Sequence, residues 1–244
     1  MSELQIIAHR GAAAVCPENT ISAFKRAIEM GSDAIETDVQ MTKDGHLILI
    51  HDEKLERTTN GKGWVKEYTL EEIKRLDAGG WFNNSFTGET IPTVEELFNL
   101  ISNTNLWVNI EIKAGFVLYP GIEQALVSKI KEYNMEDKVI ISSFNHYSID
   151  LIRKISPELE TAILYVAGLY EPWDYAKGIG ARFLHPFKEA VYQEMVTGAH
   201  QRGMGVHPYT IDKEEEMIAL IKMGVDGIIT NVPDNLIALL KRLK

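Results

Sequence analysis

The sequence predicts an α/β fold, a closed (β/α)₈ TIM barrel with a small insertion after the second barrel strand. Short apolar runs of strand length alternate along the chain with amphipathic segments of helix length. Such alternation predicts a parallel sheet, and about eight strand–helix units in a chain of this size predict that the sheet closes. We therefore interpret 1–244 as one barrel domain, with an insertion at about 53–92.

The predicted elements follow in a regular order. The first strand, 4–8, leads into a helix over 21–30 that Gly31 ends. The motif Pro17-Glu18-Asn19-Thr20 before this helix is, on spacing alone, a helix start. After the insertion, which is rich in turn residues, regular alternation resumes. It predicts strands at 107–112, 139–142, 161–166, 182–185, 205–209 and 226–230, and helices at 93–101, 120–133, 146–155, 173–177, 188–202, 213–223 and 233–243.

An open, doubly wound sheet is the nearest alternative to the barrel. Gly11 follows the first strand, but the GxGxxG pattern of dinucleotide-binding sheets and its downstream acidic residue are both missing. The closed barrel is therefore preferred.

The second strand is predicted to fold back in a hairpin around Asp44-Gly45. This dipeptide tolerates the positive φ angles of a two-residue turn. With that turn, Asp38 lies opposite His51, and opposed residues of an antiparallel pair project from the same face. Glu36 shares the face, because side chains alternate along a strand. A one-residue change of register would turn His51 away.

Composition narrows the classes of partner. The formal net charge of −10 argues against nucleic acid and against an anionic membrane surface, since both are polyanions. The single cysteine, Cys16, fits a reducing compartment, and no segment approaches the ~20 apolar residues of a membrane span. The N-terminus lacks the features of a signal peptide. We therefore expect a cytoplasmic protein without stable membrane association, and leave a homo-oligomer open.

Polar residues collect where the predicted strands end, which is the edge that carries the active site in barrels. In the strand 107–112, polar positions alternate with apolar ones, so that the polar set can line the barrel. The strand-end residues are His9, Arg10, Glu36, Asp38, His51, Glu111, Lys113, Tyr209 and Asn231.

Three of these strand-end residues form a candidate metal site. Glu36, Asp38 and Glu111 would repel one another in one barrel mouth unless a cation joined them. Oxygen ligands suit a hard divalent ion such as Mg²⁺ or Ca²⁺. The alternative is a salt-bridge cluster with Arg10 and Lys113, which we would prefer for any one carboxylate alone. For three strand-end acids together, we prefer the metal site.

Two histidines are predicted to reach the same mouth from different strands. His9 and His51 beside a metal can serve as an acid and a base near neutral pH. Arg10 and Lys113 would offer positive charge to a phosphate, which answers how an acidic protein binds an anion.

Seven motifs in this order carry a family resemblance. They are His9-Arg10-Gly11, Pro17-Glu18-Asn19-Thr20, Glu36-Thr37-Asp38-Val39, Thr42-Lys43-Asp44-Gly45, His51-Asp52, Glu111-Ile112-Lys113 and Ser143-Phe144. From about residue 6 to residue 233, the chain closely resembles the glycerophosphodiester phosphodiesterase family. The resemblance implies a (β/α)₈ barrel with a small insertion after the His-Asp motif.

The same resemblance implies hydrolysis of glycerophosphodiesters, such as glycerophosphocholine or glycerophosphoethanolamine, to glycerol 3-phosphate and an alcohol. It implies a small-molecule substrate and one divalent metal ion. The implied roles are metal binding for Glu36, Asp38 and Glu111, acid/base catalysis for His9 and His51, phosphate contacts for Arg10 and Lys113, and a glycerol pocket lined by Phe144 and Tyr209.

The chain departs from the family pattern at two late strand ends. It has Tyr209-Thr210-Ile211-Asp212 where the family often has Trp-Thr-x-Asn, and Thr230-Asn231-Val232-Pro233 where the family has Thr-Asp-x-Pro. Both departures concern the pocket lining and the head-group preference, not the predicted metal ligands.

A mechanism follows from the substrate class. The glycerol hydroxyl next to the esterified carbon attacks phosphorus, a five-membered cyclic phosphate forms, and water opens it. Our working assignment makes His51 the first base and His9 the first acid, a choice that the sequence does not decide.

Three other functions are weighed against this one. A barrel glycosidase using two of the carboxylates would be active in EDTA and would leave the histidines idle. A phosphodiesterase of lysophospholipids would share the chemistry but need an exposed apolar surface at the mouth. A barrel that only binds phosphodiesters is disfavoured by the intact acids and histidines.

Overall fold

The computed structural model describes residues 4–115 and 117–243. Within these residues the strands are β1 (Gln5–His9), β2 (Ala34–Met41), β3 (Leu47–Leu49), β4 (Trp107–Ile112), β5 (Val139–Ser143), β6 (Glu160–Tyr165), β7 (Phe183–Pro186), β8 (Gly205–Val206) and β9 (Gly227–Thr230). The α-helices are α1 (Ile21–Met30), α2 (Leu70–Ile73), α3 (Val94–Ile101), α4 (Ile122–Glu132), α5 (His146–Ile155), α6 (Pro172–Gly178), α7 (Gln193–Gln201), α8 (Glu214–Met223) and α9 (Pro233–Leu243).

Eight of the strands form a parallel barrel. The order of hydrogen-bonded neighbours is β8-β7-β6-β5-β4-β2-β1-β9, and β3 pairs only with β2, in the antiparallel sense. The seam between the ends of this order is bridged by backbone hydrogen bonds, among them Asp226 N to Val206 O at 3.0 Å and Ile211 N to Ile229 O at 3.0 Å. The predicted (β/α)₈ barrel is confirmed.

Apolar and polar side chains alternate along β4, so that one set packs in the core and the other faces the barrel interior. Val108, Ile110 and Ile112 are buried against the helices, in one apolar cluster with residues of α3 and α4. Asn109 and Glu111 project to the other side, into the barrel, where Asn109 donates a hydrogen bond to Ser142 on β5 at 3.0 Å. The polar set of this strand therefore lines the barrel, as the period-two pattern predicts.

The register predicted for the β2–β3 hairpin is wrong by one residue. Thr42 N donates to His46 O at 2.9 Å, so the loop holds three residues rather than two, and the third, Gly45, has φ +86°. The Thr42 hydroxyl supports this loop by accepting from His46 N and donating to Asp44. Asp38 consequently lies opposite Ile50, and His51 follows beyond the strand.

The segment between β3 and α3 packs around a small apolar cluster of its own. It contains α2 and two 3₁₀ turns, at 65–67 and 84–86. Leu55, Val65, Ile73 and Ile91 are buried in this cluster together with Ile48 of β3. We propose that residues 53–92 are an insertion into one domain that spans 1–244. No helix in the described ranges combines the length and apolarity needed to cross a membrane.

Gly11 fixes the turn that follows β1 and precedes the site. Its φ is +81°, and a Cβ at this position would lie 2.7 Å from the backbone carbonyl carbon of Ala23 in α1. We expect Gly11→Ala to lower the free energy of unfolding by about 2–4 kcal/mol, because it combines backbone strain with overpacking. Urea denaturation measures this change.

Gly31→Ala is the matched control for this substitution. Gly31 has φ +90°, but nothing lies within 4 Å of an added Cβ, so only the backbone strain, about 1 kcal/mol, is expected. Equal losses in the two variants would contradict the tight approach of Gly11 to α1.

Candidate active site

Three carboxylates meet at the carboxyl ends of two adjacent strands. Glu36 and Asp38 lie two residues apart on β2, and Asp38 is aligned with Glu111 of β4 in the parallel register. One oxygen from each residue lies within 4.8 Å of the others, and all three side chains are buried. The structure therefore brings together the three acids that the sequence selects as metal ligands.

The electrostatics of this cluster favour a cation. Burial raises the pKa of Glu36 well above its ordinary value, and the charges of Asp38 and Glu111 add to the rise. Burial likewise raises the pKa of Glu111 to about 7. Burial also opposes ionisation of Asp38, but Arg10 and Lys113 outweigh it and lower the pKa of that carboxyl. Crowded carboxylate oxygens with raised pKa values are a donor set that suits a hard divalent ion.

Two cationic side chains border the acids. Arg10 Nε lies 3.4 Å from Asp38 Oδ2, and its backbone N–H donates to Glu36 at 3.0 Å. Lys113 Nζ lies 2.8 Å from Glu111 and 3.7 Å from Asp38. Arg10 Nε is buried and lacks a hydrogen bond within the described part of the chain. Both cations predicted to contact phosphate therefore lie at the acid cluster.

His9 projects into the same mouth from the end of β1. Its Nδ1–H donates to Asn231 Oδ1 at 2.7 Å, and Asn231 Nδ2 donates to Asp212 at 2.7 Å. This partner orients the ring so that Nε2 faces Glu36, at 3.9 Å. Burial lowers the pKa of His9 to about 4, and the charge of Arg10 contributes. The ring is thus neutral at pH 7, with Nε2 free to accept a proton.

His51 reaches the mouth from the segment that follows β3. Its Nδ1–H donates to Asp52 at 2.6 Å. Its ring lines a cavity of about 300 Å³ together with Glu111, Lys113 and Phe144. The correction of the hairpin register therefore changes how His51 arrives at the mouth, but not its presence there.

A chain of ion pairs connects the segment that follows His9 with the segment that follows His51. Arg57 donates to Asp52 through Nε at 2.6 Å and to Glu18 through Nη1 at 2.8 Å. Glu18 in turn accepts from Arg10 Nη1 at 2.7 Å. Arg57 thereby ties His51, through Asp52, to Arg10.

Replacing Arg57 is expected to impair turnover more than stability. Arg57→Lys keeps the charge but cannot span both carboxylates, so His51 and Arg10 lose their relative placement. We expect kcat to fall by about 10- to 100-fold with little change of Tm, as for other small misplacements of reacting groups. Steady-state kinetics and thermal unfolding measure the two effects.

Arg75→Ala serves as the control for the Arg57 variant. Arg75 lies in the same segment and forms an exposed ion pair with Glu71 on α2. It is expected to leave kcat unchanged. A similar kcat in the Arg57 and Arg75 variants would show that the ion-pair chain has no part in positioning.

Aromatic side chains border the mouth on the side of β5 and β8. Phe144 meets Tyr209 edge to face, with ring centroids 6.1 Å apart, and Phe187 lies 5.9 Å from Tyr209 on another side. Burial raises the pKa of Tyr209, and the charge of Glu111 adds to the rise. The predicted substrate contacts Phe144 and Tyr209 are therefore in contact with each other.

Sequence reasoning missed several residues that support the site. The helix-start interpretation of 17–20 is correct for Thr20, which caps α1 by accepting from Ala23 N. It is incomplete for Asn19, which donates to Asp38 at 2.9 Å and accepts from Thr37. Glu18, Asp52, Arg57 and Asp212 were also not assigned to the site. The available signal was that all but Asp212 are charged residues inside or just after a site motif.

Buried acids, two histidines and two cations at this end of a barrel define a class, the barrel hydrolases of phosphodiesters. The model of the glycerophosphoryl diester phosphodiesterase family matches residues 9–235. The chain therefore belongs to this family and is an enzyme. The resemblance stated from the motifs is confirmed, and the glycosidase alternative is disfavoured.

Relatives and solved structures agree with this assignment. The chain is 55% identical over 237 residues to a glycerophosphodiester phosphodiesterase of Caldanaerobacter subterraneus subsp. tengcongensis, covering 97% of this chain and 98% of the relative. It is 42% identical to one of Bacillus altitudinis, covering 98% and 99%. An Oleispira antarctica phosphodiesterase, solved with the product sn-glycerol-3-phosphate, superposes with a TM-score of 0.90 at 28% identity, covering 97% of this chain and 96% of that one.

Proposed function

We propose that this enzyme hydrolyses glycerophosphodiesters, such as glycerophosphocholine and glycerophosphoethanolamine, to sn-glycerol 3-phosphate and an alcohol, with one divalent cation and the pair His9 and His51. The observation that carries this proposal is the meeting of three buried acids and two histidines in one barrel mouth. The product bound to the Oleispira antarctica enzyme supports the same outcome.

Glu36, Asp38 and Glu111 fit a divalent cation, Mg²⁺ or Ca²⁺. Their oxygens are close enough to share one ion, and burial raises the pKa of two of them. When bound, the cation would neutralise these carboxylates and polarise the oxygens of the substrate. Asn19 holds Asp38 through its hydrogen bond, which keeps that carboxylate in place.

Arg10 and Lys113 are the proposed phosphate contacts. Both side chains are mostly buried, and each already pairs with Asp38, so their charge is directed at the acid cluster. Guanidinium and ammonium groups held in this way are suited to donate charge-assisted hydrogen bonds to phosphate oxygens. Developing negative charge on the phosphoryl oxygens is stabilised by such fixed donors.

The reaction proceeds in two steps. In the first, the glycerol hydroxyl next to the esterified carbon forms a bond to phosphorus, and the bond from phosphorus to the alcohol breaks. One histidine takes the proton of the hydroxyl, and the other gives a proton to the departing alcohol. In the second, the oxygen of a water molecule forms a bond to phosphorus, and the bond from phosphorus to the glycerol oxygen that attacked first breaks. The histidines exchange roles, one taking a proton from the water and the other returning one to that glycerol oxygen, which yields glycerol 3-phosphate.

The surroundings of the two rings favour His9 as the first base and His51 as the first acid. His9 has a pKa lowered to about 4, so it is neutral and able to accept a proton. The Nδ1–H of His51 donates to the carboxylate of Asp52, which holds this ring at the cavity and leaves it the role of first acid. We propose these roles in place of the working assignment made from the sequence.

A substrate panel tests the proposal as a whole. Glycerophosphocholine, glycerophosphoethanolamine and glycerophosphoglycerol are incubated with the enzyme, with and without EDTA and added metal, and glycerol 3-phosphate is measured. We expect metal-dependent release from at least one substrate. Release of no glycerol 3-phosphate from any of them by the folded, metal-supplemented enzyme would refute the proposal.

A second candidate is a phosphodiesterase of lysophospholipids. Large apolar side chains are exposed in the segments after three neighbouring strands, β4, β5 and β6, at the mouth end of the barrel, and one of them lies in the first turn of α5. They are Leu118 (69% exposed), Tyr147 (88%), Val166 (59%) and Tyr170 (89%). An acyl chain on the glycerol could rest on such a surface. Adding lysophosphatidylcholine to the panel tests this candidate, with a higher kcat/KM than for glycerophosphocholine as the result that favours it.

A further inference from the structure

The cavity of about 300 Å³ beside the acid cluster includes residues to which the mechanism above assigns no role. It is lined by His51, Lys113 and Phe144, and also by Glu53, Ala114 and Gly115. These residues come from the segments after β3, β4 and β5. Glu111 and Lys113 of the acid cluster line the same cavity, so a group attached to a phosphate held there would extend along this side past His51.

The carboxylate of Glu53 is not committed to any cation of the described chain. Lys54, its neighbour, extends over the ring of Trp64, with Nζ 4.9 Å from the centroid. Lys113 pairs with Glu111 and Asp38, and Arg57 pairs with Asp52 and Glu18. No ion pair of Glu53 occurs within 4–115 and 117–243. A negative charge on this wall is therefore open to a ligand.

The backbone and surroundings of Glu53 hold it against the cavity. Its carbonyl accepts from Val65 N at 2.9 Å. Glu53 follows His51 by two residues, so the two side chains leave the same short segment. Tyr119 donates to Gln40 at 2.6 Å, and Gln40 donates to the carbonyl of His51 at 2.8 Å. The position of Glu53 is thereby linked to that of His51.

The floor of this side is open enough for a bulky group. Ala114 and Gly115 line it, and a Cβ added to Gly115 would meet no atom of the described residues within 4 Å, its chain neighbours aside. Phe144 adds an aromatic ring that is 45% exposed. The cavity is thus lined by both a carboxylate and an aromatic ring, the two kinds of group that recognise an ammonium ion in proteins.

We propose that Glu53 selects substrates whose departing alcohol carries a positive charge, an amino or trialkylammonium alcohol, over neutral alcohols. In this proposal Phe144 contacts that alcohol, in place of the glycerol contact that the family resemblance implies for it. This selectivity rests on the hydrolysis proposed above. The charge is not altered in the reaction, so its recognition is equal in the ground and transition states and acts mainly on KM.

A matched pair of substrates tests this selectivity. Glycerophosphocholine is compared with the diester of 3,3-dimethylbutan-1-ol, which has the same shape as choline without its charge. The readout is the ratio of kcat/KM for the charged over the neutral diester. Inhibition by free choline and by 3,3-dimethylbutan-1-ol gives a second readout that does not require turnover of either ligand.

Glu53→Gln is expected to lower the ratio by about two- to fivefold, the effect of losing one partly exposed ion pair. Glu53→Lys is expected to lower it by about tenfold or more, since repulsion replaces attraction. The wild-type ratio should fall as salt is added, because salt screens this interaction. Glu67→Gln, an exposed acid of the same segment, is the control and should leave the ratio unchanged.

The outcomes separate the two proposals. If the wild type hydrolyses both diesters and Glu53→Gln has the wild-type ratio, the selectivity is wrong and the hydrolysis stands. A wild-type ratio at or below one overturns the selectivity as well. If the folded, metal-supplemented wild type hydrolyses neither diester, the proposed function fails, and the role of Glu53 fails with it.

Discussion

EDTA is expected to lower kcat/KM for glycerophosphocholine by about 10³-fold or more, and added Mg²⁺ or Ca²⁺ to restore it. The reason lies in the crowding of Glu36, Asp38 and Glu111, whose buried oxygens share one small region. Without a cation these groups repel one another, and burial drives Glu36 and Glu111 towards the protonated form. The assay is release of glycerol 3-phosphate from dialysed enzyme.

Asp38→Asn and Glu111→Gln should remove both activity and metal binding. In the wild type, metal at about 100 times its Kd should add about 2.7 kcal/mol to the stability and raise Tm by several degrees. In the two variants this metal-dependent rise should be absent. Glu95→Gln, which removes an acid of α3 paired with Lys129 away from the mouth, is the control and should keep the rise.

Full activity in EDTA together with no metal-dependent change of Tm would contradict the metal site. In that case the cluster would be the salt-bridge arrangement with Arg10 and Lys113 that the sequence also allows. Activity lost in EDTA but kept in Asp38→Asn would place the metal elsewhere in the molecule.

The barrel could be predicted because its signal is local and repeated. Each strand and helix carries its own apolar pattern, so an error in one element leaves the count of units intact. The hairpin register could not be predicted, because it depends on one loop residue. Thr42 bonds through its hydroxyl to both Asp44 and His46, and this favours a three-residue loop over the two-residue turn that Asp44-Gly45 suggests.

Some residues of the candidate site could be predicted from the sequence, and others could not. Glu36, Asp38 and Glu111 could be selected because strand ends of a parallel barrel converge on one edge whatever the loops do. The ion pairs of Arg57 could not, because Glu18 and Arg57 lie 39 residues apart on two loops without periodic structure. His51 shows that the convergence of strand ends and the hairpin register can lead to different expectations. It reaches the predicted place although the register that placed it there was wrong.

Alanine at either His9 or His51 is expected to lower kcat for glycerophosphocholine by about 10²–10⁴-fold, the usual contribution of a general acid or base. Each ring has one nitrogen committed to an orienting partner, Asn231 or Asp52, which leaves Nε2 for proton transfer. His200→Ala is the control, because His200 pairs with Asp226 at the opposite end of the barrel. Near-normal turnover in both variants would end the proposal.

A substrate with a better leaving group shows which histidine is the acid. A glycerophosphodiester of 4-nitrophenol needs no proton on its departing oxygen, so losing the acid should matter little for this substrate, whereas losing the base should still matter. Because His9 is buried and neutral at pH 7, we expect His51→Ala to recover much of its activity on the nitrophenyl diester and His9→Ala to recover little. Recovery in His9→Ala instead would restore the assignment made from the sequence. Recovery in neither variant would mean that both rings act on the attacking hydroxyl or the phosphate rather than on the alcohol.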